Sequence, residues 1–240
     1  MKNPKLSNLN VKIFADGADQ ETMYDMYSKD YIHGLTTNPT LMRKSGVNDY
    51  KLFCKTILKV IKNKPLSFEV FSDDFDEMRK QAIEISSWGE NVYVKIPITN
   101  TKKETCYDLV DDLSKNGIKL NITAIMTNEQ VKKLLYFLNP QVPSYISIFA
   151  GRIADTGRDP EVIIKKALHD MKSHPHAELI WASPRELYNI FQADKLGCHI
   201  ITVTSEILKK INMIGYSLDE YSLDTVKMFY NDAVVAGYRI

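Results

Sequence analysis

Apolar and polar positions follow two rhythms along the chain. Eight short runs are rich in β-branched and aromatic residues: 11–17, 32–38, 65–71, 91–98, 118–125, 144–151, 177–183 and 199–204. Such runs read as strands, and their centres fall roughly 20 to 33 residues apart, the spacing of repeated βα units. Between them the apolar positions change to helical spacing. Phe75, Met78, Ala82 and Ile85 share one helix face, and Gly89 follows as a stop. Cys106, Leu109, Val110 and Leu113 do the same ahead of Asn116-Gly117. Thr127 and Gln130 form a capping box before Val131, Leu134, Leu135 and Leu138. Asp159-Pro160 places a cap before a proline at the first helical position, and Ser183-Pro184-Arg185-Glu186 repeats that device with a capping box.

Eight strands alternating with eight helices predict an α/β fold, a (β/α)8 TIM barrel. A doubly wound sheet is the alternative, disfavoured by the count and by the lack of a Gly-x-Gly-x-x-Gly or Walker-type loop. The chain is expected to be one domain, 1–240, with the barrel over about 11–214 and a helical extension over about 215–240. In that extension Leu223, Val226, Phe229 and Ala233 mark an extra C-terminal helix. Its apolar face is expected to cover the barrel bottom or a neighbouring subunit.

Strand parity sorts the barrel's inner face from its outer one, because successive side chains point to opposite sides. Val94, Ile96 and Ile98 share one parity, which leaves Lys95 inward. The same count turns Asp16, Asn38, Glu69, Asn121, Thr123 and Ser147 inward near the strand ends, where barrel enzymes keep their sites. A polar plug closing the barrel would account for any one of them. As a set they are less easily structural, since an inward lysine beside two carboxylates is costly to bury unless paired or functional. An amine that sheds its proton in a partly dry pocket attacks a carbonyl carbon, and the iminium formed is an electron sink. A nearby carboxylate moves protons on a sugar hydroxyl, and amides and hydroxyls suit a polyhydroxy chain. These residues point to Schiff-base chemistry on a ketose or ketone.

A separate anion site is expected at the same mouth. Ser183 is placed as cap of the helix after strand seven, with Arg185 in its first turn, where free N–H groups favour phosphate. Arg152 follows strand six. Together with Lys95, these residues favour phosphorylated sugars as partners.

Composition narrows the partners further. Of 240 residues, 44% are apolar and 25% charged, ordinary for a globular protein. Lys and Arg number 31 against 30 Asp and Glu, so no basic excess suggests nucleic acid or an anionic membrane. Residues 1–15 hold no long apolar core, and no eighteen apolar residues run together. Neither a secretory signal nor a membrane span is expected, and cytoplasmic residence is the default. Cys54, Cys106 and Cys198 are odd in number and far apart, which argues against a disulfide framework or a zinc site. His174 and His176 lack a nearby third ligand, so no metal is expected there either.

Six segments carry a family resemblance. FADGAD (14–19), GLTTNPTL (34–41), VYVKIP (92–97), IKLNITAI (118–125), SIFAGRI (147–153) and WASPRE (181–186) resemble transaldolase motifs in transaldolase order, over roughly residues 11–210. The length resembles the smaller bacterial branch, which includes fructose 6-phosphate aldolases. The resemblance implies a barrel whose Schiff-base lysine is Lys95. Asp16 is the implied acid/base at carbon–carbon cleavage, and Glu69 and Thr123 would hold a proton-relay water. Asn38, Asn121 and Ser147 would bind the hydroxyls of a dihydroxyacetone unit. Arg152, Ser183 and Arg185 would hold the aldose phosphate. Neither a metal nor an organic cofactor is implied. In free aldolases the position of Glu69 is usually Gln and that of Phe149 usually Tyr, so both residues here resemble transaldolase.

The implied activity is transfer of dihydroxyacetone from fructose 6-phosphate or sedoheptulose 7-phosphate to an aldose phosphate, as in the pentose phosphate pathway. A free or specialised aldolase is the alternative, and a non-catalytic sugar-phosphate-binding barrel a remote one. The branch is often oligomeric, so a homo-oligomer is expected. Gly17, Ile148, Pro184 and Thr204 depart from the usual motifs without removing any of these groups.

Overall fold

A computed structural model describes residue 6 and residues 8–240. Residues 1–5 and 7, part of the stretch read for a leader, lie outside it. The strands are β1 (Lys12–Asp16), β2 (Ile32–Thr36), β3 (Leu66–Glu69), β4 (Val92–Pro97), β5 (Leu120–Ile125), β6 (Ser144–Ile148), β7 (Ala177–Trp181) and β8 (Ile200–Thr204). Each pairs in parallel with the next, and β8 closes on β1 to form a (β/α)8 barrel. Each strand lies within its predicted run, because period-2 alternation and flanking turn residues mark it twice over.

The helices are α1 (Gln20–Tyr27), α2 (Pro39–Lys44), α3 (Tyr50–Val60), α4 (Phe75–Ser86), α5 (Tyr107–Lys115), α6 (Asn128–Leu135), α7 (Ala150–Ala154), α8 (Pro160–Asp170), α9 (Tyr188–Lys195), α10 (Ser205–Leu208) and α11 (Leu218–Ala236). The strict one-to-one alternation fails twice, because two helices follow β2 and two follow β6. Both extra helices are short and begin within three residues of the strand end, too short to leave a periodic signature. The predicted caps at Thr127 and Asp159 are made: each accepts a backbone N–H of the first turn, and Gln130 completes the box on Thr127.

The side chains of the barrel divide as parity predicts. Ile13, Ala15, Val94, Ile96, Ile146, Ile148, Leu179 and Trp181 belong to the layer between sheet and helices. Inside, Phe14, Tyr145, Ile180 and Ile200 pack with Tyr93 to form an apolar floor. Tyr93 stacks on Tyr145 at 4.0 Å between centroids, and Phe14 meets Tyr145 edge-on at 5.6 Å. Gly34 makes room for the Phe14 ring, since a Cβ there would lie 2.5 Å from it. The polar inward residues stand on this floor.

Cys54 on α3, Cys106 before α5 and Cys198 before β8 are all buried and free. Burial pushes their thiols up, those of Cys106 and Cys198 to about 12.

The C-terminal helix forms as predicted over α11, but it does not cover the barrel bottom: none of its residues is buried. Val226, Phe229, Tyr230 and Val235 are more than half exposed. No helix among the described residues is long and apolar enough to cross a membrane.

Candidate active site

The strand ends open into a cavity of about 520 Å³. All eleven residues singled out in the sequence line it: Asp16, Asn38, Glu69, Lys95, Asn121, Thr123, Ser147, Phe149, Arg152, Ser183 and Arg185. The sheet register explains the convergence. Glu69, Lys95 and Asn121 occupy one rung across β3, β4 and β5, so three inward side chains stand side by side.

Lys95 is 7% exposed. Its Nζ lies 3.1 Å from Glu69 Oε2 and donates to the Thr37 carbonyl at 3.2 Å. The ammonium is thus paired with a carboxylate that also borders the cavity, which offsets the cost of burying it. Tyr50 on α3 donates to the Glu69 carbonyl at 2.7 Å and fixes the end of β3 from behind.

Asp16 ends β1 and faces the cavity. Part of its surface is open, yet protein packs round it on the other sides. Burial pushes its carboxyl above the ordinary carboxylate range, against the opposing pull of Lys95 and of a hydrogen bond from Thr36. A carboxyl held this way takes up a proton more readily than an exposed aspartate does.

Three strands share a hydrogen-bonded chain beside the lysine. Ser147 donates to Asn121 Oδ1 at 2.7 Å, and Asn121 Nδ2 donates to Ser67 at 3.0 Å. This gives each end of the buried amide a partner and fixes which of its ends faces each serine. Thr123 has a buried hydroxyl with no protein partner. Beside it the β5–β6 register slips between Ile122 and Ile125, and Ala124 takes a φ of 60°. The slip is a bulge of the kind that re-aims side chains near sites. Asn38 caps α2 by accepting the Leu41 N–H at 3.0 Å, so its amide NH2 is the end left for a ligand.

The anion side of the mouth needs one correction. Ser183 does not cap the helix after β7, and Arg185 is not in that helix's first turn. Ser183 adopts a left-handed φ of 59°, and α9 begins at Tyr188. The N–H groups of Arg185 and Glu186 are held by Asn189 Oδ1, at 2.7 and 3.1 Å. The start of α7 and the turn after β7 meet backbone to backbone here: a Cβ on Gly151 would lie 1.6 Å from the Ser183 carbonyl oxygen. Arg185 still reaches the cavity, its Nε donating to Asp155 at 2.9 Å with a second, short contact between the same groups. Arg152 lies over the Phe149 ring, 5.7 Å from its centroid. The cations stand at the mouth, but Arg152 is carried by the short helix α7 and Arg185 by the turn after β7, not by the first turn of α9.

Several residues at this surface or behind it were not singled out. Thr36 ends β2 and Ser67 lies two residues before the end of β3, both inward by the same parity. The Thr37 carbonyl and the Asp155 partner of Arg185 carry no sequence signal, since each depends on where the chain turns. Among the described residues no group of three or more His, Cys, Asp or Glu is placed to hold a metal ion.

Comparison with known proteins agrees with this geometry. The family described as Transaldolase/Fructose-6-phosphate aldolase matches residues 13–236. A probable transaldolase of Thermoanaerobacter sp. (strain X514) is 32% identical over 231 residues, which is 96% of this chain and 100% of that protein. One from Dehalococcoides mccartyi is 33% identical over 202 residues, 84% of this chain and 90% of the relative. Another, from Streptococcus agalactiae serotype V, is 34% identical over 194 residues, 80% of this chain and 86% of the relative.

Proposed function

Because the chain belongs to the transaldolase/fructose-6-phosphate aldolase family, we propose that it transfers a dihydroxyacetone unit from a ketose phosphate to an aldose phosphate through a Schiff base on Lys95. The observation that carries this reading is the buried Lys95 ammonium paired with Glu69 at 3.1 Å, with the raised Asp16 carboxyl on the same cavity.

The steps follow from those positions. Glu69 takes a proton from the Lys95 ammonium, and the free amine attacks the ketose carbonyl. Glu69, through a water held by the unpartnered Thr123 hydroxyl, protonates the departing oxygen. Water leaves and the iminium forms. Asp16 removes the proton from the hydroxyl on the far carbon of the bond to be cleaved. That carbon becomes an aldehyde, and the electrons of the broken bond pass into the iminium to give an enamine. An acceptor aldose then replaces the first aldehyde. The enamine attacks it, and Asp16 returns the proton to the new hydroxyl. Water on the iminium releases the product and restores Lys95. Asn121 and Ser147, fixed by their own hydrogen bonds, would hold the hydroxyls of the three-carbon unit, with Asn38 beside them. Arg152 and Arg185 would hold the phosphate, with Phe149 packed under Arg152.

The second reading, cleavage without an acceptor, differs only in the fate of the enamine. One experiment separates them: fructose 6-phosphate and borohydride with the protein, with and without erythrose 4-phosphate, mapping the adduct and following glyceraldehyde 3-phosphate. A three-carbon adduct on Lys95 with acceptor-dependent release supports transfer. Release that ignores the acceptor supports the free aldolase, and no adduct refutes both.

The reading extends to assembly and place. We propose that α11 packs against a second copy of the chain, supported by its nineteen residues without one buried position. Cytoplasmic residence in central sugar metabolism is the setting for this chemistry, and three free, buried thiols suit a reducing compartment.

A further inference from the structure

We propose that Thr36 is a positioning residue for Asp16: its hydroxyl occupies one carboxylate oxygen, so that the other alone exchanges the proton with substrate. The inference rests on the reading of Asp16 given above.

Asp16 and Thr36 are register partners on the parallel strands β1 and β2. Thr36 turns inward, is 3% exposed, and its Oγ1 donates to Asp16 Oδ1 at 2.8 Å. A threonine is stiff at χ1, so a buried one aims its hydroxyl in a fixed direction. A carboxylate with one oxygen engaged in this way has one free oxygen, Oδ2, for chemistry. During cleavage Oδ2 accepts the hydroxyl proton as the aldehyde forms. During addition it gives that proton back, and no co-reactant is needed.

The charges around Asp16 make this donor matter. Burial favours the neutral acid, and Lys95 from β4 and the Thr36 donation favour the carboxylate. Glu69 from β3 is engaged with Lys95. Across β8, Thr204 is the register partner of Asp16 and carries no charge. Behind Asp16 stand Thr22, Met23 and Ser205, also uncharged. Lys44 of α2, Arg152 and Arg185 share the cavity as more open cations. Among these groups, Thr36 is the one that both neutralises part of the burial cost and selects an oxygen.

The test uses full-length protein labelled with 13C at the aspartate carboxyls, the Asp16 resonance being identified by its loss in Asp16→Asn. In Thr36→Val the titration midpoint of Asp16 is expected to rise by about one pH unit, the size of one lost hydrogen bond to a charged group. In Thr36→Ser it is expected to return to the parent value. With fructose 6-phosphate and erythrose 4-phosphate, kcat of Thr36→Val falls by about tenfold with KM nearly unchanged. Its pH profile moves with the resonance. A midpoint that stays put in Thr36→Val, or moves equally in Thr36→Ser, overturns the proposal. Should the valine variant not fold, Thr36→Ala carries the same expectation. Borohydride trapping of dihydroxyacetone on Lys95 in the parent protein tests the underlying reading separately. If the parent forms no adduct, that reading fails, while the resonance still decides whether Thr36 governs Asp16.

Discussion

Replacing Gly151 with alanine is expected to damage phosphate handling while sparing the lysine chemistry. Gly151 lies at the start of α7, and its backbone is not in the left-handed region, so alanine is excluded there by space alone. The added methyl would sit 1.6 Å from the Ser183 carbonyl oxygen, where real Cβ atoms keep at least 3.0 Å. The obstacle is backbone, not the end of a flexible side chain, so the β7 turn has to move by about 1.4 Å. Overpacking of this kind costs about 1–3 kcal/mol, which lowers Tm by about 2–12 °C for a chain of this size. The same shift carries Ser183 and Arg185 away from the mouth, and a misplacement of about 1 Å costs up to about 100-fold in rate. Lys95 stands on β4 and is not displaced. Two assays separate the effects. Steady-state kcat/KM with fructose 6-phosphate and erythrose 4-phosphate should fall by about 10- to 100-fold, and borohydride trapping of unphosphorylated dihydroxyacetone on Lys95 should proceed at close to the parent rate. Unchanged Tm together with unchanged kcat/KM would refute the close approach. Equal loss in both assays would refute the division of labour between the β4 lysine and the β7 turn.

Four further outcomes are expected. Lys95→Ala should abolish the borohydride adduct found by peptide mass mapping. Asp16→Asn should raise Tm at neutral pH. The folded carboxyl is raised above its unfolded value, so its ionisation costs stability as pH climbs through the folded value, and the gain should vanish as pH falls into the ordinary carboxylate range. Asn121→Ala should lower kcat/KM by about tenfold and also stability by about 1–3 kcal/mol in urea unfolding, because it strands the Ser147 and Ser67 hydroxyls. Val226→Glu with Phe229→Glu should lower the sedimenting mass to that of a single chain if α11 is an intersubunit element.

The strands and the inward set were legible because both follow from period-2 alternation, a purely local property. Lys95 could be placed inside the barrel from its two apolar neighbours alone. The short helices α2 and α7 were not, since five or six residues starting at a strand end give no helical period. The turn after β7 was misread for a related reason. Ser-Pro ahead of Arg-Glu carries the usual marks of a helix start, and nothing local announces that Gly151, thirty-two residues earlier, will press against Ser183. Partners supplied by tertiary approach, such as Asp155 for Arg185 and the Thr37 carbonyl for Lys95, lay outside what a single sequence encodes in its neighbours. The family resemblance supplied roles that the residue types alone left open.

The three buried thiols turn the outer layer of the barrel into its own recorder. A thiol reagent needs a thiolate and a path to it, and here burial withholds both. Each cysteine therefore reacts only when its surroundings open. Cys54 reports on α3, Cys106 on the start of α5, and Cys198 on the approach to β8. Alkylation followed by peptide mapping would give three separate opening rates from one unmodified protein. On the proposed mechanism, oxidants that silence cysteine-dependent enzymes would find no sulfur among the reacting groups Lys95, Glu69 and Asp16.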